Sequence, residues 1–115
     1  MTTAALERCD DLRSARDFSE LVTIVRNAFR SIGGVGPLAI YDVAERIGWY
    51  LGIRPAEVHL HCGARMGARA LGRDGRSATL EMCELPSALR RLTPAQAEDF
   101  LCLYKDHLHR FRGIP

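Results

Sequence analysis

The sequence predicts an all-α fold, a compact bundle of five to six helices in a single helical domain over residues 1–115. The length of 115 residues fits one domain, and 47% hydrophobic with 26% charged residues is typical of a globular protein. Apolar residues recur at helical spacing through much of the chain, and glycines and prolines separate the periodic segments. Together these observations predict short successive helices around a hydrophobic core.

The N-terminal half predicts two helices after a short first helix over residues 4–13. Asp17 is a suitable N-cap, and Glu20 three residues later forms a variant of the capping box. One apolar stripe follows, and Gly33 suits the position after the helix. The stripe consists of Phe18, Leu21, Val22, Val25, Ala28, Phe29 and Ile32.

The next helix is predicted to start at Pro37, because proline fits the first helical turn, and to stop at Gly52. Its apolar stripe consists of Ile40, Val43, Ala44, Ile47 and Leu51. Two apolar stripes joined by a short glycine turn predict a helical hairpin with a shared core.

The second half begins with a predicted helix over residues 61–71, whose inner face carries Ala64, Ala68 and Leu71. Gly63 and Gly67 weaken this helix or permit close packing against a neighbour. A turn over residues 73–77 follows. For residues 78–85 the mixed periodicity favours helix over a short strand.

The C-terminal segment predicts one or two helical turns over residues 86–92 and then a final helix. Thr93 and Gln96 form a capping box with Pro94 at the first helical position. The helix is expected to run to about His109. Its inward residues are expected to be Ala97, Phe100, Leu101, Tyr104 and Leu108.

The glycine turn between the hairpin helices has the chemistry of an anion site. Gly34 and Gly36 have no side chains to block an approaching ligand, and Val35 between them can insert into the core. A turn of this kind that opens a helix directs backbone N–H groups outward at the positive end of the helix dipole. The segment from Gly34 to Ala39 therefore suits a phosphate.

Residues 18–51 resemble the helix-hairpin-helix motif of DNA repair, recombination and replication proteins. The resemblance rests on Gly34, Val35, Gly36 and a downstream small residue, Ala39 or Ala44. It implies that the N–H groups of Gly34, Gly36, Leu38 and Ala39 meet phosphate oxygens of DNA without sequence preference. The alternative is a helical hairpin whose glycines only make a tight turn.

Base-excision DNA glycosylases share this hairpin, and Val58-His59-Leu60-His61 is similar to a segment that follows it in them. Their lyase branch carries a lysine where this chain has Leu38, and their catalytic aspartate falls at about His59. The chain is also about half the length of such enzymes. We therefore expect a non-catalytic protein without a cofactor.

A second basic feature consists of Arg65, Arg69 and Arg73, spaced four residues apart. If residues 63–73 are helical, these arginines form one stripe with salt-dependent affinity for a nucleic-acid backbone. The alternative is a solvated helix face with internal salt bridges to acidic neighbours. Formal net charge is only +2, so nucleic-acid binding has to rest on such local patches.

Targeting and redox signals are few. No long apolar run or signal-peptide pattern is found, which predicts a cytoplasmic protein without a membrane partner. The four cysteines are widely spaced without a CxxC pair, which favours reduced thiols over a disulfide framework.

Two other functions remain open. Trp49, Tyr50 and the face of Gly63 and Gly67 fit a homodimer or a protein-interaction module without nucleic acid. His59, His61 and Cys62 are the ligand types of a small metal protein or enzyme, but two histidines spaced i, i+2 converge only in extended backbone.

Overall fold

The structure is a computed structural model that describes residues 9–115, with side chains from Leu12 onward. These residues are mostly helical, which confirms the coarse fold class, and they include a small two-stranded sheet that the sequence analysis does not predict. Residues 4–8 of the predicted first helix lie outside the described part of the chain. Within it the helices are α1 (Cys9–Ser14), α2 (Phe18–Ala28), α3 (Pro37–Leu51), α4 (Cys62–Ala70) and α5 (Pro94–Leu103).

The chain groups into two compact units, one ending at Pro55 and the other beginning at Ala56. Each unit has its own cluster of buried apolar side chains. A single domain over residues 1–115 stays a prediction.

In the first unit, α2 begins as predicted and ends early. Asp17 Oδ1 accepts a hydrogen bond from Glu20 N at 2.8 Å, so Asp17 is the N-cap. The Glu20 carboxylate accepts from Arg16 N at 2.8 Å and not from the N-cap. The helix stops at Ala28, because the chain then tightens into turns in which Ile32 N donates to Phe29 O at 3.0 Å.

The prediction that Gly33 directly follows α2 was therefore wrong. The left-handed residue of this turn is Gly34, with φ of 83°. The boundaries of α3 are as predicted. Pro37 occupies the first turn, and Gly52 caps the end with φ of 74°. The two amphipathic stripes meet, which confirms the helical hairpin with a shared core. The buried residues of this core are Phe18, Leu21, Val22, Val25, Ile40, Tyr41 and Ala44.

The second unit opens with a short antiparallel ribbon of β1 (Val58–His59) and β2 (Thr79–Leu80). Val58 lies opposite Leu80, and both side chains are buried. The predicted helix over residues 78–85 was wrong: a strand is followed by a single 3-10 turn over Met82–Glu84. The strand forms because a distant segment supplies its pairing partner, which local periodicity does not register.

Helix α4 packs closely against α5. The inner residues Ala64, Ala68 and Leu71 are buried, as predicted. A Cβ added at Gly67 would collide with the backbone carbonyl of Leu101, which confirms the predicted close packing. Because Gly63 likewise lies against Cys102, the glycine face is covered by α5 of the same chain. That face is not available to a second copy, so this part of the homodimer hypothesis was wrong.

Helix α5 has the predicted capping box, with Gln96 N donating to Thr93 Oγ1 and Thr93 N donating to the Gln96 side chain. It ends at Leu103, six residues before the predicted end, and a 3-10 turn follows over Leu108–Phe111. Leu108 is buried beyond the helix end, whereas Tyr104 is 49% exposed, so its predicted inward orientation was wrong. The predicted turns over residues 86–92 are a 3-10 helix, Ser87–Arg91.

Candidate nucleic-acid interface

The glycine turn between α2 and α3 leads directly into the first turn of α3. Gly34 adopts the left-handed conformation and Gly36 is the extended N-cap of α3, with φ of −85°. Val35 between them is half-buried and packs against the core of the first unit. A Cβ placed on Gly34 or Gly36 would meet nothing within 4 Å, so the turn presents an open surface.

The first turn of α3 offers backbone donors to a ligand. Ile40 N donates to Gly36 O at 3.2 Å, the first bond of the helix. Among residues 9–115, no acceptor is bonded to the N–H groups of Gly34, Gly36, Leu38 or Ala39. The helix is 15 residues long, and its first turn contains no acidic side chain. No carboxylate within this turn therefore offsets the positive end of its dipole.

Charged side chains of both signs occur elsewhere on the hairpin helices. Arg26 and Arg30 lie exposed at the end of α2 and just beyond it, and Arg30 donates to the Asn27 side chain at 3.0 Å. On α3, Asp42 and Arg46 are exposed. The first unit thus carries positive charge outside the turn. On α3, the Asp42 carboxylate disfavours a phosphate on its own side of the helix.

Arg65 holds the loop between α4 and β2 in place. Its guanidinium donates to the carbonyls of Gly75, of Ser77 at 3.2 Å and of Leu60 at 2.8 Å. These acceptors are backbone carbonyls and not the acidic side chains that the alternative interpretation invoked. Arg65 thereby satisfies carbonyl groups that the short ribbon leaves without strand partners.

Arg73 lies beyond the end of α4 at Ala70, so the predicted three-residue stripe of Arg65, Arg69 and Arg73 does not form on a helix. Arg73 donates to Glu84 O at 2.6 Å and to Ile114 O at 3.0 Å. Arg69 is exposed and its side chain lies over Gly75, where a Cβ would meet Arg69 Nε at 2.6 Å. At least two of the three arginines therefore organise the second unit, and a nucleic-acid role for them stays a prediction.

The histidines at the ribbon do come together. His59 is in β1 and His61 is the extended N-cap of α4, and their rings stack with centroids 6.2 Å apart. Extended backbone is the condition under which i, i+2 histidines converge. Burial lowers the pKa of His59, and the positive charge of His61 lowers it further, while the Glu57 carboxylate opposes both. Within the described residues, no group of three or more His, Cys, Asp or Glu side chains has the arrangement of a metal site.

Three described cysteines are free thiols: Cys62 and Cys83 are exposed, and Cys102 is half-buried. Cys83 Sγ donates to Glu81 Oε2 at 3.4 Å. This hydrogen bond to a carboxylate raises the pKa of the Cys83 thiol, because it stabilises the protonated form. The arrangement disfavours a reactive thiolate at Cys83.

The three aromatic residues of α3 differ in exposure. Tyr41 is 2% exposed and meets the Phe18 ring edge-on at 5.5 Å, so it belongs to the core. Trp49 is 56% exposed and Tyr50 is 93% exposed.

No helix among residues 9–115 is long and apolar enough to cross a membrane. Comparison with protein-family models, with curated proteins and with solved structures finds no match.

Proposed function

We propose that the protein binds the sugar–phosphate backbone of nucleic acid, without reading base sequence, through the hairpin segment from Gly34 to Ala39. The supporting observation is the set of unbonded backbone N–H groups at the start of α3, beside two glycines at which an added Cβ would meet nothing within 4 Å. Backbone donors at a helix N-terminus are a recurrent phosphate-binding arrangement. A phosphate contact positions the protein on a strand and carries no sequence information.

The proposal rests on the hairpin and not on the arginine segment, because Arg65 and Arg73 already donate to backbone carbonyls. An anion at a helix N-terminus contributes roughly 0.3–1 kcal/mol when exposed. We therefore expect weak affinity for a single hairpin, falling as salt concentration rises.

Ala39 offers a sharp test because it is exposed in the first turn of α3. In Ala39→Glu, the carboxylate is favourable for the helix dipole and repels a phosphate at the same place. Ala39→Gln is the matched neutral control. The measurement is fluorescence anisotropy of a labelled random-sequence duplex at several salt concentrations, with circular dichroism to compare folding.

We expect Ala39→Glu to remain folded and to lose about two- to fivefold in affinity at low salt, which corresponds to the roughly 0.3–1 kcal/mol of the helix-terminus contact. Ala39→Gln is expected to bind like wild type. Equal affinity of Ala39→Glu and Ala39→Gln for the duplex would show that the hairpin is not the contact. Absence of wild-type binding even at low salt would rule out the function itself.

A further inference from the structure

The second unit contains a pocket of about 240 Å³, and every residue that lines it is apolar. Its floor and rim are Leu71, Pro86 and Leu108, which are buried, and Ala88, Phe111 and Ile114, which are exposed. A water molecule inside finds no polar side chain to bond, and apolar cavities of this kind stay dry or take apolar ligands. The pocket therefore suits an apolar group that enters from solvent at the exposed rim.

The C-terminal wall of the pocket is held in place by hydrogen bonds. Ser87 N donates to Pro115 O at 3.1 Å, and Arg73 donates to Ile114 O at 3.0 Å. These bonds tie the wall to the 3-10 helix that starts at Ser87 and to the segment that follows α4. Because the wall is fixed on two sides, the pocket is formed before a ligand arrives, which lowers the cost of binding.

The volume of the pocket sets the size of the group that it can hold. An apolar cavity of about 150 Å³ binds benzene, a ring of six carbons. In proportion, about 240 Å³ holds roughly eight to ten carbon atoms. Pockets that enclose larger ligands measure about 300–1,000 Å³, so this one fits a single short aliphatic chain.

Two arginines flank Phe111 at the rim. In a 3-10 turn residues i and i+3 lie on the same side, so Leu108 and Phe111 both reach the pocket. Arg110 and Arg112 are therefore placed to either side of Phe111. The Arg112 side chain lies along Gly72, where a Cβ would meet its Cγ at 3.4 Å, and Gly72 directly follows a residue of the pocket floor.

Both of these arginines are available to a ligand. They are exposed, and among residues 9–115 neither guanidinium has a hydrogen-bond or ion-pair partner, whereas Arg90 is bonded to backbone carbonyls. The acidic side chains closest in sequence to the lining residues are Asp99 and Asp106, which are exposed and have no partner among the same residues. The three arginines outnumber these two carboxylates, so an anion is favoured at the rim.

We propose that the pocket binds the aliphatic chain of a carboxylate of roughly eight carbons, with the carboxylate at the rim beside Arg110 and Arg112. The chain contributes affinity because its methylene groups leave water, and a guanidinium matches a carboxylate with two parallel hydrogen bonds. The inference concerns the second unit alone and does not rest on nucleic-acid binding at the hairpin.

The test uses the complete chain and titrates sodium octanoate, octan-1-ol and octylammonium chloride by calorimetry. Ala88→Phe fills the pocket from its exposed rim, and Ala88→Leu fills it with less added volume. Ala78→Phe is the matched control, because Ala78 is exposed and does not line the pocket. Circular dichroism compares the folding of all variants.

The head group is tested with the double variant Arg110→Gln/Arg112→Gln. Its control is Arg54→Gln/Arg76→Gln, which removes the same charge at two exposed arginines that do not flank the pocket. In the wild-type chain, nuclear Overhauser contacts between octanoate and the Ile114 methyl groups locate the ligand without any substitution.

We expect octanoate to bind about two- to fivefold more tightly than octan-1-ol, as for an exposed ion pair, and octylammonium to bind most weakly. Hexanoate is expected to bind about tenfold more weakly than octanoate, because two methylene groups fewer are buried. Ala88→Phe loses octanoate binding and Ala78→Phe keeps it. The Arg110→Gln/Arg112→Gln variant loses the preference for the carboxylate, whereas Arg54→Gln/Arg76→Gln retains it.

No binding of any probe overturns the inference, and so does octanoate binding without contacts to the Ile114 methyl groups. Equal affinity for the three head groups overturns it as well, because the arginines then select nothing. Self-association that is lost in Ala88→Phe, with no probe bound, assigns the pocket to a second copy and overturns the inference. None of these results bears on the Ala39→Glu experiment, so the two proposals fail separately.

Discussion

At the scale of single residues, His59 is the group whose surroundings most clearly alter its chemistry. It lies half-buried in β1 beside His61, and both burial and that neighbour disfavour its charged form. Its pKa in the folded protein is therefore below the ordinary histidine value of about 6.5. Between these two pKa values, the unfolded chain binds more protons at this site than the folded chain.

The predicted consequence is that the free energy of unfolding rises with pH through this window and no longer changes with His59 above about pH 6.5. As pH falls below that value, this contribution to stability is lost. In His59→Gln, the slope is expected to become shallower. Urea unfolding at several values between about pH 5 and 8 measures it.

His109→Gln is the matched control for this experiment, since His109 is exposed. It is expected to leave the pH slope as in wild type. A slope that is equally steep in His59→Gln would show that the pH dependence originates elsewhere.

At the scale of elements, the contact between α4 and α5 leaves the least room for a larger side chain. At Gly67, a Cβ would collide with the carbonyl of Leu101, a backbone atom that cannot rotate away. Glycine is needed here because of close approach and not because of its φ angle, since Gly67 is not among the positive-φ residues. The pairing of the two helices thus depends on the absence of one methyl group.

Gly67→Ala is predicted to destabilise the protein by about 1–3 kcal/mol, the usual range for overpacking, despite the better helix propensity of alanine. Met66→Ala, on the exposed part of the same helix, is the control and is expected to change stability by less than about 0.5 kcal/mol. Denaturant unfolding of both variants compares them. If Gly67→Ala were as stable as wild type, the α4–α5 contact would have to be looser than described.

At the scale of the whole molecule, the second unit is held together by arginines as well as by its apolar core. Arg73 joins the segment after α4 to Glu84 and to Ile114 near the C-terminus. Arg65 joins the start of α4 to the loop that precedes β2. Arg65 and Arg73, which the sequence predicts to be part of a phosphate-binding stripe, therefore connect segments that are distant in sequence.

Arg73→Gln is predicted to lower the free energy of unfolding by about 1 kcal/mol, because three carbonyl acceptors lose a charged donor at a partly solvated position. Its effect on nucleic-acid affinity is expected to match that of Arg76→Gln, an exposed arginine whose loss changes net charge equally. Urea unfolding and anisotropy are measured on both. A much larger loss of affinity in Arg73→Gln would restore Arg73 to a binding surface.

Local signals in the sequence were sufficient to predict those structural features that depend only on neighbouring residues along the chain. The Asp17 and Thr93 caps, Pro37 at the start of α3 and Gly52 at its end are all as predicted. The hairpin turn with Val35 turned inward was predicted for the same reason, since glycine conformation and apolar spacing act within a few residues.

Tertiary structure decided what depends on residues far apart in sequence. Thr79 and Leu80 form a strand because Val58 and His59 pair with them, and α5 stops at Leu103 although the periodicity continues. The arginine segment has its role set by carbonyls up to 41 residues away. Spacing can place a side chain on a helix face, but only the folded chain determines whether that face meets solvent, a carbonyl or another helix, because burial and hydrogen bonding arise from contacts between distant segments.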